Sequence, residues 1–97
     1  MDQLAPNSAM IAIRAEIDAL DNELAAMLAA RQRLIERAIA AKIQEKLPAR
    51  IPSRIDEVVT RAQGYAHAHN LDPDLAKTIW THMVEWFVQF EQRQLGR

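Results

Sequence analysis

The chain has 97 residues, 12 Lys and Arg against 13 Asp and Glu, and 49% hydrophobic side chains, enough for one domain over 1–97 and too few for an ordinary two-domain enzyme. Cysteine is absent and only Gly64 and Gly96 are glycines, which excludes disulfides, thiolate chemistry, zinc–cysteine sites and a Gly-rich phosphate loop. A formal charge of −1 leaves no general basic footprint for nucleic acid, and no apolar run is long enough for a bilayer. Met1–Ala9 has neither a charged leader nor an apolar signal core, so the expectation is a soluble, cytoplasmic protein.

Seventeen alanines against two glycines favour helix, and the chain divides into three. The first is expected to start near Asn7 or Ser8, either of which caps a helix after Pro6, and to run to about residue 46. Ile13, Ile17, Leu20, Leu24, Met27, Arg31, Leu34, Ala38 and Ala41 follow in alternating steps of four and three, a heptad-like stripe. Glu16, Glu23, Arg33 and Glu36 mostly take other faces. Pro48 and Pro52 then break the pattern over Leu47–Pro52.

Ser53, with Asp56 three residues on, reads as the cap of a second helix that runs to about His69 and stops at Asn70. Asp72–Pro73 opens the third, a cap followed by proline at the first helical position, and Gly96 closes it. Leu75, Ile79, Met83, Trp86 and Phe90 form its apolar side, and Trp80, Trp86, Phe87 and Phe90 are expected in the core.

The first helix poses a geometric problem. Residues 8–46 at 1.5 Å each span roughly 58 Å, whereas a compact domain of this size has a radius of gyration of about 12–13 Å. An apolar stripe of that length must be covered. The fold expected is therefore all-α, three helices per chain with a long first helix, assembled as an intertwined helical homodimer.

Arg31 falls on the apolar stripe, where a buried guanidinium requires an anion. Lys42, eleven residues on, shares its face about 16 Å away. Arg14 lies about 100° around the helix from Arg31, so a second chain is needed to bring it to the same pocket. Arg54 opens the second helix beside the proline break. Long helix, implied dimer and an arginine in the stripe together point to a pocket for a small dicarboxylate, since each arginine grips a carboxylate bidentately. Other candidates are weaker. His67 and His69 face different ways, His82 and Glu85 lack the further carboxylates of a di-metal bundle, and Ser8 and Ser53 read as caps. Glu91, one turn beyond Phe87, taken alone reads as a surface residue.

The run Ile13-Arg14-x-x-Ile17-Asp18-x-x-Asp21-x-Glu23-Leu24-x-x-x-Leu28-x-x-Arg31-x-x-Leu34-x-x-x-Ala38-x-x-x-Lys42 resembles the first helix of the all-helical chorismate mutase family, and the similarity continues through Pro52-Ser53-Arg54 into the third helix, to about Gln92. The resemblance implies an intertwined dimer of three-helix chains and a substrate that is chorismate or the related isochorismate, with no cofactor and no metal. It implies roles residue by residue. Arg14 reaches the site from the partner subunit and grips a substrate carboxylate. Arg31 binds the other carboxylate region within its own subunit. Lys42 lies near the breaking ether oxygen, Glu91 faces that oxygen from the opposite side, and Arg54 stands at the site edge.

Three positions depart from the pattern of typical mutases. Ile55 stands where a glutamate binds the substrate hydroxyl, Ile51 lies near a position held by aspartate, and Phe87 replaces a small polar residue of some members. These apolar replacements resemble the isochorismate-pyruvate lyases and also leave room for an amino-substituted chorismate. The leading expectation is rearrangement of chorismate to prephenate. Isochorismate-pyruvate lyase, aminodeoxychorismate mutase and a non-enzymatic dimerisation or regulatory module are the alternatives.

Overall fold

The computed structural model describes residues 4–97. The reading of Met1–Ala9 as leaderless falls partly outside that range. Three α-helices follow in chain order, α1 over Leu4–Glu45, α2 over Pro52–Ala68 and α3 over Pro73–Leu95, with no strand among the described residues. The all-α expectation with a long first helix holds. The chain forms two compact units, one through Glu36 and the other Arg37–Arg97, and α1 continues from the first into the second.

α1 begins by Leu4, earlier than the Asn7 or Ser8 expected to cap it. Both lie inside the helix; the side chain of Asn7 is outside the described residues. Pro6 does not prevent the earlier start, because the first-turn N–H groups have no partner four residues back and a missing one is harmless there. The other end is built by a Schellman motif. Lys46 takes a left-handed φ of 60°, Lys46 N–H donates to Ile43 O at 3.4 Å and Leu47 N–H to Lys42 O at 2.9 Å. A non-glycine residue occupies the left-handed position, so no glycine marks this helix end in the sequence.

α2 corrects a second expectation. Its N-cap is Ile51, extended at φ −123°, ψ 96° and without a side-chain cap, and Pro52 takes the first helical position, which places Ser53 inside the helix. A proline at that position brings a φ already suited to the helix and lacks only an N–H that would go unused. Arg54 N–H and Ile55 N–H both donate to Ile51 O, at 3.0 and 3.1 Å. The end of α2 repeats the Schellman pattern around Asn70, φ 56°, with Leu71 N–H to Ala66 O at 2.9 Å. α3 opens as the sequence indicates. Asp72 accepts from Asp74 N–H at 2.8 Å with Pro73 behind it, and Gly96 closes the helix at φ 74°.

In the unit from Arg37 onward, α2 and α3 pack together, and Ile39, Ala49, Ala62, Ala66, Ala76, Val84, Phe87 and Val88 are its buried apolar side chains. Four alanines in that set allow close backbone approach. Trp86 does not join it. It is 54% exposed, against the core placement expected from its spacing, and stacks on half-buried Phe90 at 5.7 Å between ring centroids. Trp80 is half-buried. In the first unit the apolar stripe of α1 is uncovered: Ile13, Ile17, Leu20, Leu24 and Met27 are all exposed, Met27 to 72%. No described helix is long and apolar enough to cross a membrane.

One ion pair ties the α1–α2 loop to α3. Arg50 grips Glu85 bidentately at 2.9 and 2.8 Å, and Gln89 adds a donor at 3.1 Å. Arg50 first, then Gln89, holds the Glu85 carboxyl down at about 2. The folded value lies below the ordinary one of 4.5, so the tie contributes fully above the ordinary range and is lost only as pH falls through about 2. A carbon-13 NMR titration of the Glu85 carboxyl is expected to show a midpoint near 2 that returns toward 4.5 in Arg50→Gln. A wild-type midpoint near 4.5 would mean that the pair does not form.

Candidate active site

Lys42 and Glu91 meet in the second unit, although 49 positions separate them. Lys42 projects from the last turn of α1, and its Nζ donates to Glu91 Oε1 at 2.7 Å and to the Ala49 carbonyl at 2.9 Å. Glu91 projects from α3 one turn after Phe87 and is 5% exposed, the single buried charged residue among those described. The surface placement expected for it from the local sequence is therefore wrong. Its packing against Lys42 supplies the counter-charge that lets a carboxylate leave water. The ammonium is itself mostly covered, its side chain 16% exposed. The result is a cation and an acid held at hydrogen-bond distance in a largely dry place, where charge–charge interactions are much stronger than in water.

The remaining site residues are distributed as follows. Phe87, whose side chain is buried, packs edge-on against Trp86 at 5.0 Å and Phe90 at 6.3 Å. Ile55 and Ile51 are half-buried at the entrance of α2. Arg54 is exposed and bonded to Glu57 at 2.6 Å; this bond first, and then Arg61, holds the Glu57 carboxyl below its usual range. Arg54 is thus committed to its own helix and does not join the Lys42–Glu91 pair. Arg14 and Arg31 belong to the unit that ends at Glu36, where Arg14 is exposed and Arg31 half-buried. No group of three or more His, Cys, Asp or Glu suited to hold a metal occurs among the described residues.

Three contributors to this region carry no signal in the sequence. The Ala49 carbonyl receives Lys42, and any residue type provides one. Arg50 and Arg97 look like ordinary surface charges. Only the structure shows that Arg50 reaches Glu85, 35 residues away, and Arg97 reaches the backbone of Leu47 and Lys42.

The chorismate mutase type II family model matches residues 13–92. Among curated proteins, none matches the chain. The matched span takes in Arg14, Arg31, Lys42, Arg54 and Glu91 and covers all of α2 and most of α1 and α3, so the chain belongs to the chorismate mutase type II family.

Proposed function

We propose that the chain is a cytoplasmic homodimeric chorismate mutase that converts chorismate to prephenate. The observation that supports this reading is the pair of mostly covered Lys42 and buried Glu91, a cation and an acid at hydrogen-bond distance. The rearrangement is pericyclic. The C–O bond to the ether oxygen breaks as a C–C bond forms, with no nucleophile, and negative charge grows on that oxygen. Lys42 stabilises the charge where it develops, and Glu91, when protonated, donates a hydrogen bond from the other side. Arg31 of one subunit and Arg14 of the other grip the two carboxylates and hold the flexible substrate in its compact, reactive shape. Arg54, released from Glu57, closes the edge. Incubation with chorismate is expected to give prephenate; salicylate and pyruvate from isochorismate, with no prephenate from chorismate, would overturn the reading.

That second outcome defines isochorismate-pyruvate lyase, and one observation favours it. Ile51 and Ile55 are half-buried apolar residues at the start of α2, where the resemblance to typical mutases implies an aspartate near the first and a hydroxyl-binding glutamate at the second. An aminodeoxychorismate mutase would instead yield an amino-prephenate, and a module kept only for dimerisation would turn over none of these substrates.

The homodimer is part of the proposal and rests on the exposed line Ile13, Ile17, Leu20, Leu24 and Met27. Contiguous apolar surface of this kind marks an interaction site, and covering each such half-exposed side chain contributes about 1–2 kcal/mol. Light scattering on the eluting protein is expected to give twice the 11.0 kDa chain mass, and Leu24→Glu to give the monomer. A wild-type monomer at micromolar concentration would remove the dimer, and with it the route by which Arg14 reaches the site.

A further inference from the structure

The loop between α1 and α2, residues 46–51, carries the one acceptor that holds Lys42 independently of Glu91. Ala49 is buried, and its two backbone groups face in different directions: its carbonyl accepts from Lys42 Nζ at 2.9 Å and its N–H donates to the Arg97 backbone oxygen at 3.3 Å. The Arg97 guanidinium then reaches back to α1. Its Nε donates to Leu47 O at 3.3 Å and one Nη to Lys42 O at 3.3 Å. The contacts close a ring: Lys42 side chain to Ala49, Ala49 to Arg97, Arg97 to the Lys42 backbone. The bond to Lys42 O puts Arg97 at the last turn of α1, the usual place for a cation at a helix end.

From this ring we infer that Arg97 is a positioning residue for the Lys42 ammonium, acting through the 46–51 loop and the Ala49 carbonyl. The inference rests on the reading that Lys42 meets the substrate's ether oxygen. A lysine ammonium sits on a flexible four-carbon stem and is oriented only by what accepts from it. In the structure two acceptors do this, Glu91 and Ala49. When a substrate oxygen enters between Lys42 and Glu91, the Glu91 contact is exchanged, and the Ala49 carbonyl is the anchor that persists. Its place is set by the loop backbone, which Arg97 ties at Leu47, at Ala49 and at the end of α1. Arg97 is itself exposed, and its guanidinium donates to the backbone carbonyls of Leu47 and Lys42, so its effect on the reaction is indirect.

The test compares wild type, Arg97→Ala and Arg97→Lys in two assays. The first is acetylation of the intact folded protein with acetic anhydride, read by peptide mass spectrometry as the ratio of Lys42 to exposed Lys77. Arg97→Ala is expected to raise that ratio about tenfold as the loop opens locally, and Arg97→Lys, which keeps one donor, to restore part of the protection. The second is steady-state turnover of chorismate, where Arg97→Ala is expected to lower kcat about tenfold with KM within about twofold, the signature of a misplaced catalytic group rather than a lost binding contact. An unchanged acetylation ratio in Arg97→Ala overturns the inference whatever the rates. A raised ratio with an unchanged kcat also overturns it, because Lys42 then needs no such anchor. A raised ratio in a protein whose wild type turns over no chorismate defeats the proposed function while the positioning of Lys42 by Arg97 stands.

Discussion

Lys42→Ala is expected to lower kcat for chorismate by on the order of 10²–10³-fold, the loss that follows removal of one preorganised donor aimed at a developing oxyanion. On the proposed mechanism the ether oxygen gains its charge only as the C–O bond breaks, so the ammonium contributes far more to the transition state than to substrate binding, and kcat is expected to fall more than KM rises. Lys42 also balances a buried acid. Its Nζ lies 2.7 Å from Glu91 Oε1, and deleting one partner of a buried pair costs about 3–5 kcal/mol through the charge left behind. The variant therefore shows two losses, separable because the rate per folded molecule reports the first and the urea midpoint the second. Lys42→Arg retains the charge and separates them further. A planar guanidinium does not reproduce the direction of the ammonium toward both Glu91 and the Ala49 carbonyl, so activity remains low although the acid keeps a cation. Rates within tenfold of wild type in folded Lys42→Ala would take Lys42 out of the reaction.

What the sequence discloses of this arrangement depends on the range over which each cause acts. Asp72–Pro73 and Gly96 mark the ends of α3 because a cap is satisfied within a few residues of itself, and Asn70 marks the end of α2 for the same reason. Ser53 misleads for an equally local reason: Pro52 is already competent to begin the helix and takes the position one residue earlier. The periodicity of α1 shows its apolar stripe, and the same spacing puts Lys42 on the face of Arg31. Whether a side chain on such a stripe is covered is not a local property. Trp86 has the spacing of a core residue and is exposed in the single chain, as are Leu20 and Met27. Glu91 is the opposite case. Nothing near it foretells burial, and its place beside Lys42 depends on a contact across 49 positions. Arg50–Glu85 and the Arg97 contacts to Leu47 and Lys42 are of the same long-range kind and leave no periodic trace.

Glu91→Gln is expected to match or exceed the wild-type kcat for chorismate. In the structure Glu91 accepts from the Lys42 ammonium at 2.7 Å. On the proposed mechanism the transition state asks something different of it. An ionised carboxylate opposite the ether oxygen opposes the charge growing there, whereas the protonated acid donates a hydrogen bond and stabilises it. A donor is therefore what the position needs. Glutamine carries one without a proton to lose, so the variant keeps a kcat at or above that of the wild type. It also retains an amide oxygen to accept from Lys42, and the Ala49 carbonyl is untouched, so the ammonium stays oriented. Glu91→Leu keeps neither donor nor acceptor and is expected to be slow, which separates the loss of the charge from the loss of the donor. A Glu91→Gln variant as slow as Glu91→Leu would leave Glu91 as no more than the counter-ion of Lys42.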